Sequence, residues 1–205
     1  MRRQLGESKI VGIPINSTKQ VELWMSFQTE TSGKLGYAHY VGFPDDGRRH
    51  EIIDGDHYVN PAPSTYHQTV SKRLQYQLYT QFELAGKGLV FDAPVDVQLT
   101  AHDIVQPDLV VILNAKTQMI TPTKIKGIPD LIVEIVSPSS SDNDRKLKKE
   151  LYERVGVTEY WIADPFEHLI EQWVLQSGGY QMQPVSDPLC PTIAPEVRVP
   201  MNEIW

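Results

Sequence analysis

The chain has 205 residues, 40% of them apolar and 22% charged, a globular composition that excludes wholesale disorder. Lys and Arg total 19 against 26 Asp and Glu, for a formal charge of -7, which argues against a broad basic face that coats nucleic acid non-specifically. Cys190 is the single cysteine, so an intrachain disulfide and a cysteine-rich zinc site are both excluded and a reducing, cytoplasmic setting is expected. No run approaches the ~18 apolar residues of a membrane helix, and Ile10–Ile15, interrupted by Gly12 and Pro14, is too weak for a signal peptide.

Residues 1–38 are polar and dotted with Ser, Thr and Gly, with one short helical stretch near Val21–Phe27, and read as an extension to a single domain over 39–205. In the domain, Ile52-Ile53 and Tyr58-Val59 flank Asp54-Gly55-Asp56, a hairpin signal closed by Pro61 and Pro63. From Ser64 the period changes. Val70, Leu74, Leu78 and Phe82 recur every four residues, which predicts an amphipathic helix capped by Ser64 or Thr65 and ended by Gly86 or Gly88.

Leu89–Leu99 reads as one extended segment kinked at Pro94. Asp108–Leu113 and Asp130–Val136, each introduced by a proline, are apolar on both faces and predict strands buried on both sides of a sheet. Ser139–Asp142 offer a cap for a second helix whose stripe is Leu147, Leu151 and Val155 and which Gly156 stops. Thr158–Ala163 predicts another strand, and Leu169–Leu175 with Tyr180–Val185 a hairpin around Gly178-Gly179. The expected class is α/β, bordering on α+β, with one central mixed sheet flanked by helices and extra hairpins.

Two residues break the apolar pattern. Glu134 stands inside Leu131–Val136, where an unpaired carboxylate is costly, so it is paired, protonated or bound to a cation. Its plainer role is an ion pair with a helix Lys or Arg. Asp108 opens the preceding buried strand, where an Asp also serves simply as a turn former. Asp130 has the same context but lies about 13 Å along the strand from Glu134, too far to share one ion with it.

Two Pro-Asp-led strands with a Glu four residues inside the second resemble the core of the PD-(D/E)XK nucleases. In that superfamily the two acids bind one or two divalent cations, and Asp108 and Glu134 are the matching pair here. Hard cations such as Mg²⁺ favour this donor set of carboxylates completed by substrate phosphate. The pattern also asks for a Lys two residues after the Glu, where this chain has Val136. The following helix carries Lys146, Lys148 and Lys149, of which Lys148 lies beside the apolar stripe and one turn before Tyr152.

The resemblance narrows with Glu51-Ile-Ile-Asp-Gly55, Asn60-Pro-Ala-Pro-Ser64 with His67-Gln68, Gln106-Pro-Asp-Leu-Val110, Pro129-Asp-Leu-Ile-Val-Glu-Ile-Val-Ser-Pro-Ser139, Asp144…Lys148…Tyr152 and Glu159-Tyr-Trp-Ile-Ala-Asp-Pro165. In this order they resemble the Uma-two family of restriction-endonuclease-like proteins, over roughly Tyr40 to Val199. The resemblance implies a restriction-endonuclease-like fold and Mg²⁺- or Mn²⁺-dependent hydrolysis of phosphodiester bonds, with DNA the expected substrate. Asp108, Glu134 and the Ile135 backbone carbonyl would hold the ion, Lys148 would be the displaced lysine, and Glu51 and His67 would be auxiliary residues. A homodimer suits an enzyme that must reach two strands. The missing Lys at 136 and the negative charge motivate a rival, a silent nuclease fold that only binds nucleic acid or protein; a purely structural oligomer subunit is a third reading.

Overall fold

The computed structural model describes residues 33–136 and 142–205. The short helix near Val21–Phe27 and most of the Ser139–Asp142 cap lie outside the described residues.

The central sheet has six strands: β3 (Gly88–Asp92), β6 (Leu109–Leu113), β8 (Leu131–Ile135), β9 (Glu159–Asp164), β10 (Leu169–Gln176) and β11 (Gly179–Gln183). Their order is β11-β10-β9-β8-β6-β3, with β8 and β9 parallel and every other neighbour antiparallel. The mixed character follows from one connection: α3 (Asp142–Val155) carries the chain from β8 to β9, the crossover a parallel pair requires. A smaller five-stranded sheet, β2-β1-β5-β4-β7, is built from β1 (Arg49–Ile53), β2 (Asp56–Asn60), β4 (Val97–Gln98), β5 (Ile104–Val105) and β7 (Ile125–Lys126).

Strand alternation divides the core in two. Leu109, Val111, Leu131, Val133, Ile135, Trp161 and Ala163 face α2 (Thr65–Leu78) and the C-terminal segment from Leu189 to Ile204. Val110, Ile112, Ile132, Tyr160 and Ile162 face α3 and the small sheet. The stripe Val70, Leu74, Leu78 and Phe82 is fully buried against the first face, and Ser64 caps α2 by accepting from the His67 amide. The helix loosens into a π-turn over Tyr79–Glu83, so its apolar stripe runs on past Leu78. A four-residue helix, α1 (Tyr37–Tyr40), precedes the sheets, and the adjoining Leu35 amide bonds Gly55 in the β1–β2 turn.

The expected single segment Leu89–Leu99 is two strands in different sheets. β3 ends at Asp92, the Ala93–Pro94 bond is cis, and β4 resumes at Val97 in the small sheet. One stretch of chain thus supplies the edge strand β3 of the large sheet and the inner strand β4 of the small one.

Candidate active site

Asp108 and Glu134 meet because β6 and β8 pair antiparallel. The register Leu109↔Val133 and Val110↔Ile132 extends to place Asp108 opposite Glu134. Both are buried, at 3% and 8% exposure.

Asp108 has both oxygens occupied. Oδ1 accepts from Arg49 Nη1 at 2.7 Å, and Oδ2 accepts from the Ile135 amide at 2.8 Å and from His67 Nε2 at 3.0 Å. An ionised carboxylate only accepts, so His67 carries its proton on Nε2. Its Nδ1 is buried with no partner among the described residues. Burial pushes the Asp108 carboxyl up, but the His67 bond and the Arg49 charge outweigh it and hold the group down to about 2.

Glu134 is met from the opposite side. It shares a strand face with Ile132, the face that α3 covers. Lys148 and Tyr152, one turn apart on α3, both reach its Oε1, Lys148 Nζ at 2.9 Å and the Tyr152 hydroxyl at 2.7 Å. Burial pushes the Glu134 carboxyl up, and Asp108 and Glu51 add to this against the pull of Lys148. Burial also disfavours the Lys148 charge, yet Glu134 and Glu51 outweigh it and raise the ammonium above its ordinary value. Burial, then Glu134, keep the Tyr152 phenol neutral and donating.

The third carboxylate comes from the small sheet. Glu51, 1% exposed, accepts from Lys148 Nζ at 3.1 Å, from the Gln106 amide at 2.8 Å and from Asn60 Nδ2 at 2.6 Å. Arg49 and Glu51 alternate on β1 and so share a face, and Asn60 sits across from Arg49 on β2. The hairpin thus delivers a cation to Asp108 and an anion to Lys148, linking the two halves. Arg49, Asn60, His67, Asp108, Glu134 and Lys148 line a pocket of about 80 Å³, room for several waters or a hydrated ion, with Arg145 and Pro61–Pro63 completing its wall.

A family described as "Putative restriction endonuclease", Uma2, matches residues 37–201. The chain belongs to the Uma2 family. A crystal structure described as "a putative nuclease belonging to DUF820 from Anabaena variabilis ATCC 29413" has the same fold, with a TM-score of 0.68, 16% identity, and coverage of 83% of this chain and 97% of that one. No curated protein matches the chain.

In this Uma2 chain the structure brings together Asp108, Glu134, Lys148, Glu51, His67 and the Ile135 backbone. Glu51 and His67, auxiliaries in the sequence reading, are in direct contact with the principal residues. The other two helix lysines point elsewhere: Lys146 is exposed beside Glu150, and Lys149 lies over the Trp173 ring at 3.3 Å. Asp130 serves the far end of the sheet, pairing with Lys116 at 2.8 Å and accepting from the Leu113 amide at 2.8 Å. Arg49, Asn60 and Gln106 were not singled out as site residues. Asn60 and Gln106 stand in the quoted motifs, and the alternation of Arg49 with Glu51 in a predicted strand was the available signal for the arginine.

Among the described residues no group of three or more His, Cys, Asp or Glu side chains is arranged to hold a metal. The donor set nonetheless fits a hard divalent cation that takes one or two protein carboxylates and completes its shell with water and phosphate. Asp108 and Glu134 are opposed, Glu134 Oε2 receives no hydrogen bond among the described residues, and both residues line the pocket. The Arg49 guanidinium stands where a cation beside Asp108 would stand.

Proposed function

We propose that this protein is a cation-dependent nuclease that hydrolyses phosphodiester bonds in DNA, in a domain spanning residues 39–205 with 1–38 as an extension. The carrying observation is the opposition of Asp108 and Glu134 across β6 and β8, with Lys148 bonded to Glu134 at the wall of one pocket.

Asp108, Glu134 and the Ile135 backbone carbonyl are the residues that would hold Mg²⁺ or Mn²⁺. When bound, such an ion polarises the phosphoryl group and makes hydroxide available near neutral pH. Lys148 stays charged at the pocket wall, where its Nζ orients the attacking water or stabilises negative charge developing on the phosphoryl oxygens. Tyr152 and Glu51 position that ammonium: the phenol shares Glu134 Oε1 with it, and Glu51 holds its other side. His67 fixes the Asp108 carboxylate, and Arg49, held on Asp108 before substrate arrives, supplies a planar donor suited to a phosphate. In the reaction the water oxygen bonds to phosphorus, the bond to the leaving sugar oxygen breaks, and that oxygen takes up a proton.

A lone cysteine suits a cytoplasmic enzyme, and among the described residues no helix is long and apolar enough to cross a membrane. The rival reading, a silent module that binds nucleic acid or protein, is favoured by Val136 in place of the motif lysine and by the full occupation of Asp108 by Arg49, His67 and the Ile135 amide.

The test is cleavage of DNA with Mg²⁺ or Mn²⁺ by wild type and Glu134→Gln. Cation-dependent cleavage that disappears in the variant, with its circular dichroism unchanged, supports the reading. Full activity in Glu134→Gln contradicts it.

A further inference from the structure

A second, larger groove of about 460 Å³ opens from the active-site pocket and shares Arg49, His67, Asp108 and the Pro61–Pro63 loop with it. One wall is the outer face of α2. Gln68, Ser71, Lys72 and Gln75 fall at i, i+3, i+4 and i+7, a single helical stripe. None of the four side chains has a partner among the described residues, although each is a hydrogen-bonding group. Arg48 lines the groove as well, its guanidinium paired with Asp46, and Asp45 and Asp92 limit the groove's net charge. One turn beyond Lys72, Tyr76 projects from the same helix at 65% exposure. Among the described residues this large aromatic ring lies in water beside a lysine that has no partner.

We propose that this groove binds a segment of single-stranded nucleic acid and feeds it to the active site, an inference that rests on the nuclease reading. Lys72 and Arg48 contact the phosphates, the amides and hydroxyl of the stripe contact sugar and base edges, and Tyr76 gives a base a stacking surface. Aromatic platforms combined with a cationic track are the usual means of holding single strands without sequence preference.

Size decides between one strand and two. At about 460 Å³ the groove has the size of a small-molecule site, a class that spans roughly 300–1,000 Å³. A cleft of that size admits a short stretch of one strand and is too small to enclose a duplex. The Asp108 carboxylate that lines it is 3% exposed, so a phosphate must enter the groove to reach it.

The experiment measures fluorescence anisotropy with labelled twelve-residue oligo(dT), oligo(rU) and a duplex of the same length, in Ca²⁺, alongside Mn²⁺-dependent cleavage. The expected result is that at least one single strand binds about ten-fold or more tightly than the duplex. Tyr76→Ala is expected to weaken that binding by about five-fold or more, the low end for loss of one stacked base. Lys72→Ala lowers the slope of log affinity against log salt by about 0.7, the loss of one phosphate contact on a single strand. Duplex binding equal to or tighter than that of both single strands overturns the proposal. So does unchanged binding in both variants; if Glu134→Gln is then dead in cleavage, the groove assignment fails while the nuclease reading stands. A wild type that neither binds nor cleaves any of the three overturns both.

Discussion

Among the described residues Lys148 is the only cation that touches both Glu51 and Glu134, at 3.1 and 2.9 Å, and the side chains of all three residues are at most 14% exposed. Lys148→Met keeps the stem and its packing but leaves two buried carboxylates facing each other without the ammonium. Breaking a buried pair by removing one partner costs about 3–5 kcal/mol, and that is the loss expected in urea unfolding at pH 8. The site has one route of relief. Burial already raises the Glu134 carboxyl, and the variant raises it further, so a proton taken up there removes the repulsion. A carboxyl whose pKa is raised on folding contributes stability below its unfolded value and loses it as the pH rises through its folded value. The deficit of the variant therefore shrinks on acidification, by at least about 1 kcal/mol between pH 8 and pH 5. Glu134→Gln added to Lys148→Met recovers part of the loss, a coupling expected of contacting residues. A deficit below about 1 kcal/mol at pH 8, or one that is the same at both pH values, refutes the reasoning, because buried uncompensated carboxylates behave in neither way.

Other outcomes follow from the same contacts. Lys148→Ala lowers cleavage by about 10²-fold or more, whereas Lys146→Ala and Lys149→Ala leave it unchanged, as single-turnover rates would show. Asp108 is held down to about 2, so it contributes stability that is present above the ordinary carboxylate value near 4 and lost as the pH falls from there to about 2. That acid-limb loss, about 2 kcal/mol, is missing from an unfolding series on Asp108→Asn. Asp130→Ala leaves the Leu113 amide without its acceptor and costs about 1–3 kcal/mol, with cleavage unaffected. Arg49→Met frees Asp108 Oδ1 and binds Mn²⁺ more tightly than wild type in calorimetry, at a stability cost of about 3 kcal/mol for the carboxylate left unpaired.

What could be read from the sequence was what local chemistry determines. The period of Val70, Leu74, Leu78 and Phe82 can bury only as a helix, and Asp108–Leu113 and Asp130–Val136 are too uniformly apolar to be anything but interior strands. Glu134 stood out because a carboxylate inside such a run must be compensated, and Lys148 because the resemblance required a lysine that position 136 lacks. Strands β5 and β7 escaped because two residues carry no period. The switch of sheets at Pro94 escaped because a proline in an extended run marks a bend without saying where the chain goes next. Asn60 and Gln106 stand in the family's motifs and Arg49 alternates with Glu51, but that Arg49 reaches Asp108 is set by the docking of the small sheet on the large one, a tertiary event. His67 was legible as a helix-start residue, but its Asp108 partner lies 41 positions away and is brought to it by the packing of α2 on β6.

The central claim is that Asp108 and Glu134 together hold a divalent cation, and calorimetric titration of Mn²⁺ into wild type and the Asp108→Ala/Glu134→Ala double variant tests it most directly. Binding by wild type that vanishes in the variant is the predicted result. Equal binding by both proteins, or none by either, contradicts it.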